Sequence, residues 1–307
     1  MLFRSARWLC RTIESLSSLD RALVVGSFLR KDHPLLAQRV RQAIRRGAQV
    51  HSLHAVHDDW AMPLASTLTA APSSWVQALA DIATAVAAHA GVTSPVAGTA
   101  TEGAQAIAAS LASGQNKAVL LGNGAAHHPQ ATTLLALANF IGQHTGASVG
   151  YLGESGNSVG AQLVGALPGP GGLNAGQMLS QPMKALFLLN AEPVLDAANA
   201  SAARQALALS GLVVGLTAFK DTLADVADVL LPIAPFTETA GTFVNAEGRA
   251  QTFHGVVRPL GETRPGWKVL RVLGTMLGLD GFSFETVEEV RATALGDLEQ
   301  LGSRLNN

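Results

Sequence analysis

Histidines are the side chains of this chain whose spacing comes nearest to a metal-binding or catalytic pattern. His51, His54 and His57 recur at every third position, and Asp58 and Asp59 follow directly. Imidazole and carboxylate groups are ligands of zinc. On a β-strand, however, side chains alternate between the two faces, so His51 and His54 would point in opposite directions. The pattern therefore favours a solvated loop after a strand, and no metal ligands are predicted.

Two further candidates for chemistry lack the partners they would need. His127 and His128 precede a predicted helix, but no carboxylate or cysteine stands near them in a familiar metal-binding spacing, so they are interpreted as turn residues. Cys10 is the single cysteine. One thiol cannot form an internal disulfide or hold an iron–sulfur cluster, which takes about four thiolates. The sequence predicts neither a cluster nor a catalytic acid, base or nucleophile in this chain.

Four residues stand in turns that directly follow apolar runs of strand length. They are Gly26, Gly122, Asn190 and Glu192. Open α/β sheets bind their ligands outside the carboxyl ends of the strands, which is where these turns would lie. Gly26 has no G-x-G-x-x-G pattern around it, so the spacing alone does not predict a dinucleotide there.

The elements that would position these turns are short apolar runs that alternate with helical patterns. Between Lys184 and Phe253 the apolar runs cover residues 185–189, 212–216 and 229–233. Strands that alternate with helices form βαβ units, whose parallel strands are buried on both faces and whose crossovers are right-handed. The predicted fold class is α/β, with two Rossmann-like, doubly wound parallel-sheet lobes.

A complete βαβ unit is also predicted near the start of the chain. Residues 22–26 form an apolar run, Pro34 suits the first position of a helix, and Gly47 suits its end. Residues 48–53 then form the next strand. This unit places Gly26 between a strand and a helix.

Bulk composition limits the class of protein. The 307 residues carry a net charge of −1, so they lack the basic surface that nucleic-acid binding requires. No apolar stretch reaches the ~18 residues of a membrane helix. Hydrophobic residues make up 48% of the chain and charged residues 14%. This composition fits an alanine- and leucine-rich core, or alternatively a surface that a partner covers.

The first residues allow two interpretations. Met1 to Thr12 contains three arginines and no acidic residue, which is also typical of a transit peptide. Trp8, Leu9 and Ile13 have helical spacing, which favours a helix over residues 5–17 that continues into the fold.

Longer motifs resemble a known family. The segments KALFLLNAEP, LVVGLT and ADVADVLLPIAPFTETAGTFVNAEGRAQ resemble the molybdopterin oxidoreductases. Together with VVGSFLRKDHPLLAQRVRQAIRRGAQV, they are similar over residues 5 to 275 to the molybdopterin-oxidoreductase-like subunit of bacterial NADH-quinone oxidoreductase, respiratory complex I.

The resemblance implies a role in electron transfer without a cofactor in this chain. It implies that [4Fe-4S] and [2Fe-2S] clusters lie in an N-terminal region of that subunit which precedes these residues. The implied partners are other peripheral-arm subunits of complex I, with neither nucleic acid nor a direct membrane span. The implied location is the cytoplasmic face of the inner membrane.

The resemblance also assigns the four turns. In the molybdenum enzymes, turns equivalent to Gly26, Gly122, Asn190 and Glu192 would face the pterin, and here they are expected to be vestigial. Relatives carry an acidic residue after the second apolar run, where this chain has Leu216-Thr217. That difference removes the expected hydrogen-bond acceptor for a guanine edge.

Two alternatives remain open. The chain could be a fragment of a true molybdopterin oxidoreductase such as a formate dehydrogenase. It could also be a nucleotide- or thiamine-diphosphate-type binding module, for which no pyrophosphate fingerprint is found. The expected domains are a partial α/β lobe over 1–95, ending at the Gly91–Pro95 linker, a second α/β lobe over 96–260, and a helical tail over 261–307.

Overall fold

Parallel β-strands form the centre of each part of the chain. A computed structural model describes residues 6–305, which divide into two units. The first unit comprises the described chain up to Leu163, Val244–Ala250, and the described residues from Leu298 onward. The second comprises Val164–Phe243 and Gln251–Asp297.

The strands are short and largely match the apolar runs. In chain order they are β1 Arg21–Val25, β2 Gln49–His54, β3 Ser66–Thr69, β4 Lys117–Leu121, β5 Ser148–Tyr151, β6 Leu186–Leu189, β7 Val213–Thr217, β8 Val229–Pro232, β9 Gly241–Val244 and β10 Ala250–Phe253.

The helices fill the connections between these strands. They are α1 Leu29–Asp32, α2 Pro34–Arg45, α3 Trp75–Ala90, α4 Glu102–Ala112, α5 Asn123–Ala126, α6 Ala131–Thr145, α7 Ser158–Leu163, α8 Ala175–Met178, α9 Pro193–Asp196, α10 Ala200–Leu209, α11 Gly266–Met276 and α12 Val287–Leu295. Short 3-10 turns cover Glu14–Ser18, Pro72–Ser74, Phe236–Glu238 and Leu298–Arg304. Among the helices of residues 6–305, none combines the length and the apolar character needed to cross a membrane.

The first unit contains a five-stranded sheet in the order β3-β2-β1-β4-β5, and each of its pairings is parallel. Central strand β1 pairs with β2 on one side and with β4 on the other, so Leu23 lies between His51 and Val119. Helices α3, α4 and α6 pack on one face, and α2 with the Glu14–Ser18 turn packs on the other. The predicted α/β class is confirmed.

Local signals explain where the long helices begin and end. Pro34 occupies the first turn of α2, as predicted. The Thr101 hydroxyl accepts the Ala104 N–H at 3.2 Å and caps α4, because the first amides of a helix lack partners within it. Helices α3 and α6 both end at glycines with positive φ, Gly91 at +68° and Gly146 at +74°.

The second unit has a smaller parallel sheet in the order β6-β7-β8. One face packs against a cluster that includes Leu207 of α10 and Leu223. The other face packs against Val269 and Leu270 of α11. The strands therefore have helical cover on both sides, as parallel strands require.

The units differ from the predicted domain boundaries. The boundary at 95 would separate β1 from β4, although the two strands are hydrogen-bonded neighbours in one sheet. The tail over 261–307 is also divided, because its last described residues from Leu298 belong to the first unit. The predicted boundaries therefore followed the order of the chain, whereas strands that are distant in the chain share one sheet.

The predicted helix over 5–17 is also not observed in its described part. Residues 7–12 form no regular element, and only Glu14–Ser18 turns into a 3-10 helix. The Leu9 N–H donates to the Ala246 carbonyl at 2.8 Å, and the Trp8 carbonyl accepts the Tyr151 N–H at 2.7 Å. These bonds to distant backbone groups replace the helical ones.

Ile107 of α4 is fully buried in the core beside the five-stranded sheet. Ile107→Ala should lower the free energy of unfolding by about 2–5 kcal/mol, because it removes buried methyl groups and leaves a cavity. Urea denaturation followed by circular dichroism measures this loss. Leu35→Ala, at an 81% exposed position of α2, is the control and should change the value by less than about 0.5 kcal/mol. Equal losses for the two variants would contradict this assignment of the core.

Candidate functional site

The candidate site of the first unit lies where strands β1 and β4 end side by side. The chain leaves β1 toward α1 and β2 on one side, whereas β4 leads to β5 on the other side. This reversal of strand order is the switch point at which open α/β sheets bind ligands. The turn after β1 contains Gly26 and Ser27, and Gly122 follows β4 directly before α5 begins at Asn123.

The two turns are hydrogen-bonded to each other. The Gly122 N–H donates to the Val25 carbonyl at 2.8 Å, and the Gly124 N–H donates to the Gly26 carbonyl at 2.9 Å. Gly26 has a φ of +66°, a conformation that favours glycine. The structure therefore brings Gly26 and Gly122 together at one point of the sheet edge.

The indole of Trp75 packs against the two glycine turns. A Cβ on Gly26 would lie 2.6 Å from Ala125 N and 2.8 Å from Trp75 Cζ3. A Cβ on Gly124 would lie 2.9 Å from Trp75 Cη2. The indole is 3% exposed, and its Nε1–H donates to the Ala70 carbonyl at 3.0 Å. Glycine is thus required at positions 26 and 124, because a Cβ atom there would clash with neighbouring protein atoms.

Two histidines flank the Trp75 ring. The His128 ring stacks on it at a centroid distance of 6.0 Å, and the His54 ring lies at 6.3 Å. His128 Nδ1 accepts the Gln130 N–H at 3.0 Å, and its Nε2 lies 2.9 Å from the Pro72 carbonyl. Both nitrogens of His128 are therefore engaged within the protein, consistent with its interpretation as a turn residue.

A polar group lies beside the turn that follows β1. Asp32 Oδ2 accepts the Phe28 N–H at 3.0 Å and bonds Ser27 Oγ at 3.2 Å. His33 is 7% exposed, and burial lowers its pKa, while the nearby carboxylates of Asp32 and Glu154 oppose this shift. Its Nε2 has no hydrogen-bond partner among the described residues. Burial therefore favours a neutral imidazole at His33.

Glu154 also pairs with an exposed histidine. His127 Nε2 lies 2.7 Å from Glu154 Oε2, and both side chains are more than half exposed. Within residues 6–305, no group of three or more histidine, cysteine, aspartate or glutamate side chains is arranged to hold a metal ion. The His127–Glu154 pair is an exposed contact between the segments that follow β4 and β5.

His51 lies apart from this site, in the middle of β2. It is 4% exposed, and its Nδ1 bonds Ser66 Oγ at 2.7 Å. Burial lowers the pKa of His51 to about 4, and the Arg21 guanidinium contributes in the same direction. His54 lies beside Trp75 instead, at a ring-centroid distance of 6.3 Å.

The other two predicted turn residues belong to the second unit. Asn190 follows β6 with a φ of +50°, and its N–H donates to the Leu216 carbonyl at 2.9 Å. Glu192 Oε1 accepts the Thr222 hydroxyl at 2.6 Å. At the end of β7, Thr217 Oγ1 accepts the Phe219 N–H at 3.0 Å, at the position where a carboxylate is expected in relatives. Asn190 and Glu192 thus connect the turn after β6 to β7 and to the segment that follows β7.

The NAEGR motif has a structural role in the first unit. The Asn245 side-chain oxygen accepts the N–H groups of Glu247 at 3.1 Å and Arg249 at 2.9 Å. Glu247 Oε2 accepts the Ile13 N–H at 2.7 Å. These bonds hold the turn between β9 and β10 and connect it to Ile13.

Trp75 is the residue that sequence reasoning missed. It stands at the first position of α3. The pattern of α3 marks its apolar face, but it does not show that the first side chain reaches the ends of β1 and β4. Those contacts depend on pairings between strands far apart in the chain.

Comparison with known proteins identifies the family. Residues 1–276 match the family model for molybdopterin oxidoreductase. The chain belongs to the molybdopterin oxidoreductase family.

The similar curated proteins are much longer than this chain. A putative formate dehydrogenase of Staphylococcus aureus is 44% identical over 57 residues, which are 19% of this chain and 6% of that protein. The F420-dependent formate dehydrogenase subunit alpha of Methanocaldococcus jannaschii is 30% identical over 123 residues, which are 39% of this chain and 18% of that protein. The chain therefore spans less than a fifth of these relatives.

A solved structure supports the fold. Acetylene hydratase from Pelobacter acetylenicus superposes with a TM-score of 0.68 at 15% identity, over 91% of this chain and 50% of that chain. At this identity the likeness shows the fold alone.

The family implies a molybdopterin cofactor, and the first unit allows a test of its fit. A dinucleotide at the switch point needs glycines that border open space. Here Gly26 and Gly124 border Trp75, and a Cβ on Gly122 would lie 2.2 Å from Ser27 Cβ. These glycines therefore border protein atoms rather than open space, and Trp75 and Ser27 take up the volume next to them.

The contact between Gly124 and Trp75 can be tested with a double-mutant cycle. Gly124→Ala should destabilise the protein, because its Cβ meets both the indole and the Gly26 carbonyl. In a Trp75→Ala background the same change should be less destabilising by about 0.5–3 kcal/mol, since the indole no longer obstructs the new methyl group. Urea unfolding of the four proteins measures the coupling. Strict additivity would contradict the direct contact.

His51 should make stability depend on pH. His51 takes up a proton near pH 6.5 in the unfolded chain but only near pH 4 in the folded protein. The free energy of unfolding therefore falls as the pH drops between these values. Between pH 7 and pH 5 the wild type should lose about 1–2 kcal/mol more than His51→Gln. Chemical denaturation across this range provides the measurement. Above pH 7 the difference between the two proteins should stay constant, and parallel curves from pH 7 to pH 5 would refute the assignment.

Proposed function

We propose that this chain is a structural part, without its own cofactor, of an electron-transfer subunit of the molybdopterin-oxidoreductase type. The more specific proposal is the corresponding portion of the molybdopterin-oxidoreductase-like subunit of NADH-quinone oxidoreductase, respiratory complex I. The observation that carries the proposal is the position of Trp75, which occupies the switch point where the family fold would accept its cofactor.

The chemistry of the remaining residues agrees with a supporting role. Glu192, Asp32 and His128 all use their polar atoms to hold turns. The single cysteine, Cys10, cannot hold a cluster, and burial raises the pKa of its thiol, which disfavours the thiolate. In this proposal the [4Fe-4S] and [2Fe-2S] clusters lie in a part of the subunit outside these 307 residues.

The function would then be mechanical. The sheet of the first unit and its two helical layers form a packed body against which the cluster-bearing region and other peripheral-arm subunits are held. Electron transfer requires that donor and acceptor stay at a fixed separation, and a packed sheet resists deformation. The complex would lie on the cytoplasmic face of the inner membrane, and this chain would contribute no catalytic centre.

A second candidate is part of a formate dehydrogenase. The names of the similar curated proteins favour it, since those from Staphylococcus aureus and Methanocaldococcus jannaschii are named as formate dehydrogenases. The sequence motifs and the fold of this chain suit either candidate. The two differ in whether the protein binds molybdenum and in which electron donor it serves.

Metal and pterin analysis tests the proposal. The protein is produced in a host that makes molybdopterin, purified without oxygen, and analysed by plasma mass spectrometry and by the fluorescence of oxidised pterin. In this proposal Trp75 takes the place of the cofactor, so we expect well below one molybdenum per chain. Stoichiometric molybdenum with bound pterin would overturn the proposal.

A gene deletion distinguishes the two candidates. Membranes and extracts of the deleted strain are assayed for NADH-dependent quinone reduction and for formate oxidation, each with and without the gene restored. Loss of the NADH activity alone supports complex I, whereas loss of formate oxidation alone supports a formate dehydrogenase.

A further inference from the structure

A long apolar groove runs beside α11 in the second unit. Its apolar lining consists mainly of Leu231 of β8 together with Trp267, Val272, Leu273, Met276 and Phe284. This α11 groove has a volume of about 620 Å³. Met276 is 80% exposed and Val272 is 47% exposed. Large apolar side chains left in solvent at one place mark an interaction surface.

The groove continues past the end of α11. A second cavity of about 690 Å³ shares Val272 and Met276 with the first and extends to Leu279 and Asp280. The combined surface follows the whole of α11, which at 1.5 Å per residue is about 16 Å long. Its length and open side fit an extended element better than a compact small molecule.

Charges at the two ends of the α11 groove have opposite sign. Arg264 and Lys268 stand at the end where α11 begins, and within residues 6–305 neither forms an ion pair with a carboxylate. Asp280 stands at the other end. Between them, Arg271 Nη2 pairs with Glu285 Oε1 at 2.8 Å, so the middle of the groove is neutral.

The partial charges of the α11 dipole have the same signs as the side chains at each end of the groove. Its N-terminus, beside Arg264 and Lys268, carries a partial positive charge, and its C-terminus, near Asp280, carries a partial negative charge. A second helix laid antiparallel to α11 would place its negative C-terminus at the cationic end. Side chains and dipole therefore favour one direction for a bound helix.

We propose that the α11 groove is a docking site for an amphipathic helix of a partner protein, bound antiparallel to α11. Its apolar stripe would contact Trp267, Val272 and Met276, as amphipathic helices do in other hydrophobic grooves. Its acidic side chains would lie in its C-terminal half, opposite Arg264 and Lys268. Met276, with its flexible thioether, can adapt to the apolar residues of that stripe.

Two synthetic helices of about four turns test the direction of binding. Both carry the same apolar stripe and a fluorescent label, and side-chain cross-links hold them equally helical. One has glutamates in its C-terminal half and lysines in its N-terminal half, and the other has these charges exchanged. Fluorescence anisotropy with the 307-residue chain should show at least ~tenfold tighter binding of the first helix. Equal affinities, or no binding of either helix, would overturn the proposal.

Variants locate the binding site. Met276→Glu should weaken binding of the first helix by at least ~tenfold, because it places a charge in the α11 groove, opposite the apolar stripe of the helix. Leu260→Glu is the matched control, since Leu260 is 78% exposed in the same unit and does not line the groove. It should leave the affinity unchanged. Similar effects of the two changes would place binding elsewhere and refute the assignment.

Charge reversal and self-association complete the test. The double change Arg264→Glu and Lys268→Glu should reverse the preference between the two helices. Analytical ultracentrifugation of the chain alone measures its oligomeric state, which tests whether a second copy of the chain occupies the α11 groove. If the chain dimerises and Met276→Glu makes it monomeric, the groove belongs to a self-interface and the proposal of a partner helix is wrong.

Discussion

The pairing of β1 with both β2 and β4 is the constraint on which the first unit depends. A strand with neighbours on both sides satisfies its backbone hydrogen bonds within the sheet, but its side chains then need cover on two faces. Leu23 and Val25 face one helical layer, and Ala22 and Val24 face the other. The same pairing places the ends of β1 and β4 side by side, so it also creates the switch point where the candidate site lies.

At that switch point, the turns after β1 and β4 pack closely against the buried Trp75 side chain. Gly26 and Gly124 allow the backbone to approach the Trp75 ring, and the ring excludes a ligand from the same space. A glycine-rich turn at a strand end is therefore compatible with two opposite outcomes. Which outcome occurs depends on the neighbouring side chain. A large side chain such as Trp75 takes up the space next to the turn, whereas a small one leaves that space open to a ligand.

The second unit shows a different use of the same architecture. Its three parallel strands have helical cover, yet the outer side of α11 keeps Met276 and Val272 in solvent. In the first unit the apolar residues of α3, α4 and α6 largely face the sheet. The contrast between the units therefore lies in where large apolar side chains are left exposed on a helix that packs on a sheet.

The sequence by itself determined the α/β class, the apolar runs that become strands, and the signal of Pro34 at the start of α2. These features depend on residues close together in the chain, so local periodicity and capping predict them. Only the tertiary structure decided that β1 pairs with β4 across residue 95, that residues 7–12 bond to distant backbone, and that Trp75 fills the switch point. Each of these depends on contacts between segments far apart in the chain, whose energies no local pattern contains.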